Sequence, residues 1–118
     1  MISGRGRKQR LIGYKKGVVK ILSIDSLKVD ALFRIKLGND ETLSVATFSR
    51  NGMNFAVGTS DGNVFIGTIK LDSKLQVKLS KLDKLSPQVN AVTSIQLSNF
   101  DPVGNLLVAF DNGTVRAW

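Results

Sequence analysis

The sequence predicts an all-β protein assembled from repeated antiparallel sheets. Three observations carry this expectation. A short pattern of apolar run, polar pair, glycine and apolar run occurs three times: LIGYKKGVVKIL (Leu11–Leu22), AVGTSDGNVFIG (Ala56–Gly67) and LVAFDNGTVRAW (Leu107–Trp118). The pattern glycines Gly17, Gly62 and Gly113 stand 45 and 51 residues apart, the period of a supersecondary unit rather than of a single helix or strand. After the first copy, Val29, Ala31, Phe33, Ile35 and Leu37 alternate with Lys28, Asp30, Leu32, Arg34 and Lys36, the two-residue period of a half-buried strand.

The elements follow in order. Asp61-Gly62 and Asn112-Gly113 are strong hairpin signals, because tight primed turns need positive φ, and Lys16-Gly17 is a weaker version of the same turn. Strands Phe55–Gly58 and Asn63–Ile66 bracket the second turn, and Leu106–Phe110 and Thr114–Trp118 the third. Upstream of the second and third turns, Leu43, Ala46 and Phe48 match Val92, Ile95 and Leu97. Each of those runs ends in a serine, Ser49 or Ser98, followed by a turn. One unit is thus strand, turn, strand, glycine hairpin, strand, loop, strand. Radial repetition of such four-stranded meanders makes a β-propeller. The expected organisation is a basic disordered arm over 1–9, a partial blade holding the last strands over 10–40, a full blade over 41–86, and a partial blade holding the first three strands over 87–118. About two and a half blades cannot close a ring of ~4–8. The expected fold is therefore a partial β-propeller of four-stranded antiparallel blades, an incomplete ring. Its further blades are expected from missing sequence of its own or from another chain.

Composition narrows the chemistry. The chain has no cysteine and no histidine, which excludes disulfides and zinc sites of thiolate or imidazole. Histidine bases and cysteine nucleophiles are excluded with them. The nine acidic residues show no catalytic spacing. Asp61, Asp111 and Asn112 read as turn residues, since neither TSDGN nor FDNGT has the ligand spacing of a calcium loop. No glycine-rich phosphate loop is present. The expectation is a protein that is not an enzyme, with no cofactor and no metal. No apolar run approaches the ~18 residues of a membrane span, and no secretory signal is visible, so an intracellular location is expected.

The net charge of +8 favours acidic partners. Seven of the 17 basic residues precede the first acid, Asp25. Arg5, Arg7, Lys8 and Arg10 in MISGRGRKQR are the candidates for contact with phosphates or an acidic partner. No aromatic residues interleave them, which argues against a single-strand binder that stacks bases. The stretch KLDSKLQVKLSKLDKL (Lys70–Leu85) supports two readings. Its leucines and lysines recur at helical three- and four-residue steps, yet Leu75, Val77 and Leu79 alternate as in a strand. The repeat favours a lysine-rich outer strand of the second blade.

FSRNGMNFAVGTSDGNVFIG and VTSIQLSNFDPVGNLLVAFDNGTVRAW resemble WD-repeat units. The matching features are the Ser–turn–Gly segment, the small residue before the hairpin (Gly13, Gly58, Ala109) and the final aromatic position. The resemblance covers about residues 10–118. Two features depart from it: the family's Gly-His pair is absent, and Trp118 alone fills the tryptophan position held by Leu22 and Gly67 in the other copies; the sequence stops before the Asp of a Trp-Asp pair. The resemblance implies a non-catalytic protein-interaction scaffold, part of a larger assembly, that binds other proteins through blade rims and loops. It directs attention to Arg50, Asn51, Asn99, Phe100 and Asp101, which follow the first strands of the second and third units. Two alternatives stay open. One is a basic ribonucleoprotein or chromatin-associated factor whose N-terminal arm contacts nucleic acid. The other is a microtubule- or cilium-associated protein whose acidic partner is tubulin, because GNDETLSVATFSRNGMNFAVGTSDG is similar to blades of microtubule-associated WD-repeat proteins.

Overall fold

In the computed structural model, residues 2–5, 9–14, 16–24, 28–49, 53–71, 77–85, 90–97 and 106–117 are described. They form three antiparallel meanders. The first sheet holds β1 (Ile2–Arg5), β2 (Gln9–Gly13), β3 (Val18–Ser23) and β4 (Val29–Arg34), in that spatial order. The second holds β5 (Leu43–Phe48), β6 (Asn54–Thr59), β7 (Val64–Leu71) and β8 (Val77–Leu85). The third holds β9 (Val92–Leu97), β10 (Leu106–Phe110) and β11 (Val115–Ala117).

The three glycine hairpins share one geometry. Gly17, Gly62 and Gly113 have φ of 91°, 87° and 85°. In each, the residue three before the glycine accepts its N–H: Gly17 to Tyr14 O (2.9 Å), Gly62 to Thr59 O (3.3 Å) and Gly113 to Phe110 O (3.0 Å). The same residues donate to the carbonyl after the turn, at Val18 (2.8 Å), Asn63 (3.0 Å) and Thr114 (2.9 Å). These are three-residue loops with glycine in the left-handed position, not the two-residue primed turns expected from Asp-Gly and Asn-Gly. Among the described residues of these loops only the glycine has positive φ, so Lys16, Asp61 and Asn112 before it keep ordinary backbone.

The core lies between sheets rather than within one. Leu11, Val19, Ile21 and Ile35 of the first unit meet Leu43, Ala46, Phe48, Phe55, Val57, Phe65 and Ile69 of the second. Ala56 and Val64 on the other face of the second sheet meet Val92, Ile95, Leu106, Val108 and Phe110 of the third. The second sheet is therefore apolar on both faces, and its β6 strand NFAVGT is buried along nearly its whole length. Alternation is lost there because neither face sees water. β1 packs beside β5, and β5 beside β9, so the first strand of each unit lies innermost. The fourth strands β4 and β8 lie outermost. The described residues make an open arc of three sheets.

Two expectations change. The disordered arm expected over 1–9 is not met at Ile2–Arg5, which pair with β2 from Ile2↔Gly13 to Arg5↔Arg10. The first sheet thereby has four strands, including the inner strand that the sequence reading denied it. Ile2 explains this physically: half-buried, it packs on the first core cluster, and one apolar anchor plus a ladder offsets the basic composition. Of the two readings of Lys70–Leu85, the strand holds over Lys70–Leu71 and Val77–Leu85, and β8 pairs with β7 from Val64↔Leu85 to Leu71↔Val77. Residues 72–76 lie outside the described residues.

Candidate interaction surface

The junctions between units begin with small residues. A Cβ built on Gly13 would stand 2.8 Å from Leu43 Cδ1, and one on Gly58 would stand 2.5 Å from Val92 Cγ1. Leu43 and Val92 open their respective inner strands, so each sheet seats its first apolar side chain on the bare backbone of the sheet before. Ala109 holds the corresponding position on the third sheet. Around it, Leu107 is 45% exposed and Val115 is 58% exposed.

At the hairpin end of the second sheet, a carboxylate organises the polar groups. Glu41 is 6% exposed. Its Oε2 accepts from Thr59 Oγ1 (2.5 Å) and Asn63 Nδ2 (2.6 Å), and its Oε1 accepts from the Gly38 N–H (2.8 Å). Thr59 Oγ1 in turn accepts from the N–H groups of Asp61 (3.3 Å) and Asn63 (3.2 Å). Thr42 N–H donates to Ser60 Oγ (2.9 Å), and Ser60 N–H donates to Thr42 O (2.8 Å). Burial pushes the Glu41 pKa up, but hydrogen bonds from Gly38, Thr59 and Asn63 and the charge of Lys84 outweigh it, so the net shift is downward. The carboxylate stays ionised and ties the loop before β5 to the β6–β7 hairpin. This is a structural clasp: among the described residues no buried side-chain polar atom lacks a hydrogen-bond partner. Among the described residues, no group of three or more acidic side chains could hold a metal.

The third sheet keeps part of this arrangement. Asp111 N–H donates to Ala91 O (2.9 Å), where Ser60 N–H meets Thr42 O in the second sheet. Here, however, the side-chain bond is Asn112 Nδ2 to Asn90 Oδ1 (3.2 Å), and it is exposed.

Of the residues singled out in the sequence, Arg50 and Asn51 follow β5, and Asn99, Phe100 and Asp101 follow β9. All five lie outside the described residues, as do Arg7 and Lys8. Arg5 is placed on β1 opposite Arg10, and Arg10 on β2 is exposed. The sequence reading missed Glu41. Its only signal was its place two residues before β5, and an acid in a loop ordinarily reads as solvated.

The arrangement of sheets has counterparts among solved structures. A chain of a mitotic checkpoint complex crystal structure matches with TM-score 0.67 and 13% identity, covering 98% of this chain and 32% of that one. The C-terminal WD40 domain of Sif2 matches with TM-score 0.63 and 20% identity, covering 93% of this chain and 30% of that one. The fold is that of WD40 β-propeller blades. The WD40-type chain spans about a third of the length of these structures. No family model matches it, and no curated protein does.

Proposed function

We propose that this WD40-type chain is a non-catalytic protein-interaction scaffold and works as part of a larger assembly. The observation that carries the reading is the match of nearly the whole chain to WD40 propeller structures. One of these structures is itself a multi-protein complex. Fold alone does not fix function, so the contact residues are part of the proposal: Arg50, Asn51, Asn99, Phe100 and Asp101, in the connections after β5 and β9. Phe100 is the aromatic anchor of the group. The reading in which an N-terminal arm contacts phosphates is weakened, because Ile2–Arg5 is committed to the first sheet.

The test is photocrosslinking in cells with benzoylphenylalanine placed at position 50 or 100, and at Lys70, exposed on β7, as the comparison site. Discrete protein adducts from positions 50 and 100, absent from position 70, are expected. Adducts from neither position, or adducts that nuclease treatment abolishes, would overturn the reading.

A further inference from the structure

Among the described residues, the second sheet alone has a neighbour on each face. Phe55, Val57, Phe65 and Ile69 pack toward the first sheet, and Ala56 and Val64 toward the third. A repeat of this kind contacts only its two neighbours. Any further blade of a ring therefore adds against the first or the third sheet. The outer edge of the second sheet belongs to β8, which pairs with β7 and with no other described strand. A fourth strand on the third sheet would lie against a face of β8, as β4 does from the first sheet, and would leave the edge uncovered.

β8 runs over 9 residues and holds lysine at 78, 81 and 84 against one acid, Asp83. Lys81 stands opposite Thr68 and Leu79 opposite Ile69, so Ser80 is an extra residue, a bulge. Beyond it, Lys81–Leu85 is regular and held from both faces: Leu82 packs on the first core cluster and Leu85 on the second. Asp83 and Lys84 are exposed. The Lys84 ammonium lies 5.8 Å from the Phe65 ring centroid, which steadies it without neutralising it.

Alternate residues of an antiparallel strand turn both N–H and C=O away from their paired neighbour. The edge thus offers donors and acceptors together. Lysines and a bulge ordinarily guard such an edge. Charge guards it by sign: it repels a basic strand, a second copy of β8 included, and attracts an acidic one. A phosphate chain only accepts hydrogen bonds and leaves the edge carbonyls unmatched, whereas a peptide backbone matches both kinds of group.

We infer that the β8 edge over Lys81–Leu85 takes an acidic, extended segment of a partner protein as a fifth strand of the second sheet. The segment's backbone continues the ladder, and its carboxylates meet Lys78, Lys81 and Lys84. β8 stands between this strand and position 70 on β7, about 10 Å away at two strand spacings. The edge adds to the connections after β5 and β9 and rests on the protein-interaction reading. Failure of the docking with crosslinks at positions 50 and 100 intact would remove this edge and leave that reading standing.

The experiment is fluorescence anisotropy on the whole chain with a labelled glutamate–threonine peptide. Its glutamates come in adjacent pairs, so both faces of the extended strand carry acid. It should bind about tenfold more tightly than its glutamine-for-glutamate counterpart, and its affinity should fall with salt. N-methylation of one alternate set of its amides should weaken binding by about tenfold or more, and methylation of the other set should not, because only one set faces β8. Lys78→Glu with Lys81→Glu should weaken it by about tenfold or more. The charge-matched pair Lys16→Glu with Lys36→Glu, both exposed and away from β8, should leave it nearly unchanged. Circular dichroism checks that each variant is folded. Indifference to both methylation sets overturns the inference, as does equal binding of the two peptides or an equal loss in the two double variants. Light scattering that finds a dimer dissociated by the Lys78 and Lys81 changes assigns the edge to a second copy instead. A poly(U) oligonucleotide that binds the chain and loses binding in that variant alone assigns it to nucleic acid. Either result also overturns the inference.

Discussion

Substituting Gly58 by alanine tests whether the units are held together by side chains seated on bare backbone. The added methyl would lie 2.5 Å from Val92 Cγ1, 2.6 Å from Val92 Cβ and 3.1 Å from Val45 Cγ1. Ordinary contact begins at 3.4 Å, so Val92 must retreat by about 0.9 Å. Val92 is 1% exposed and sits in a close-packed cluster with Ile95, Leu106 and Val108, so it has little room to retreat. Overpacking of this kind costs about 1–3 kcal/mol. Val92→Ala alone removes two methyl groups from the same place and costs about 2 kcal/mol with its cavity. Together the two changes exchange volume across the junction. The double variant should therefore be more stable than the sum of the singles predicts, by about 1 kcal/mol or more. The assay is urea unfolding followed by circular dichroism, in which ~2 kcal/mol moves the midpoint by ~1–2 M. Strict additivity would mean that the third sheet does not rest on Gly58, and the inter-sheet packing argument would fail.

Two further outcomes follow from the hairpin ends. Glu41→Gln should cost about 2 kcal/mol, because an amide cannot accept from Gly38, Thr59 and Asn63 together. The folded pKa of Glu41 lies below its ordinary value of 4.5, so the unfolded chain binds the proton first. The clasp's contribution is complete above 4.5 and is lost as pH falls through the folded value. Acid unfolding of the wild type should carry this component, and that of the glutamine variant should lack it. Gly17→Ala and Gly113→Ala both force alanine into a left-handed backbone, at about 1–2 kcal/mol each. At Gly17 a Cβ also lies in contact with the Ile35 carbonyl oxygen, whereas at Gly113 nothing lies within 4 Å. Thermal melts should rank Gly17→Ala clearly below Gly113→Ala, and equal melting points would contradict that geometry.

The repeat was legible because its signals are local. A glycine at a fixed offset, a polar pair before it and apolar residues on both sides state a hairpin by themselves. The matched positions Leu43, Ala46 and Phe48 against Val92, Ile95 and Leu97 state an inner strand. The loop length of that hairpin was less legible, since Asp-Gly suits both a two-residue primed turn and a three-residue loop. Backbone hydrogen bonds at Tyr14, Thr59 and Phe110 settle it. MISGR was misread because composition averages over residues, while one apolar side chain, Ile2, decides whether a short strand docks.

The sequence by itself determined the class of fold: all-β, a repeated meander, a glycine at each hairpin and no thiol or imidazole chemistry. Those features rest on backbone dihedrals and residue types, which act over a few residues. Tertiary structure alone decided which face of each sheet is buried, because a two-residue period marks two faces without saying what lies against either. It paired Gly58 with Val92 across 34 positions of chain. It gathered Gly38, Thr59 and Asn63 around Glu41. It also placed Arg10 and Lys20 where the next unit buries Phe55 and Phe65. Burial is a property of neighbours, and neighbours distant in sequence are set only when the sheets pack.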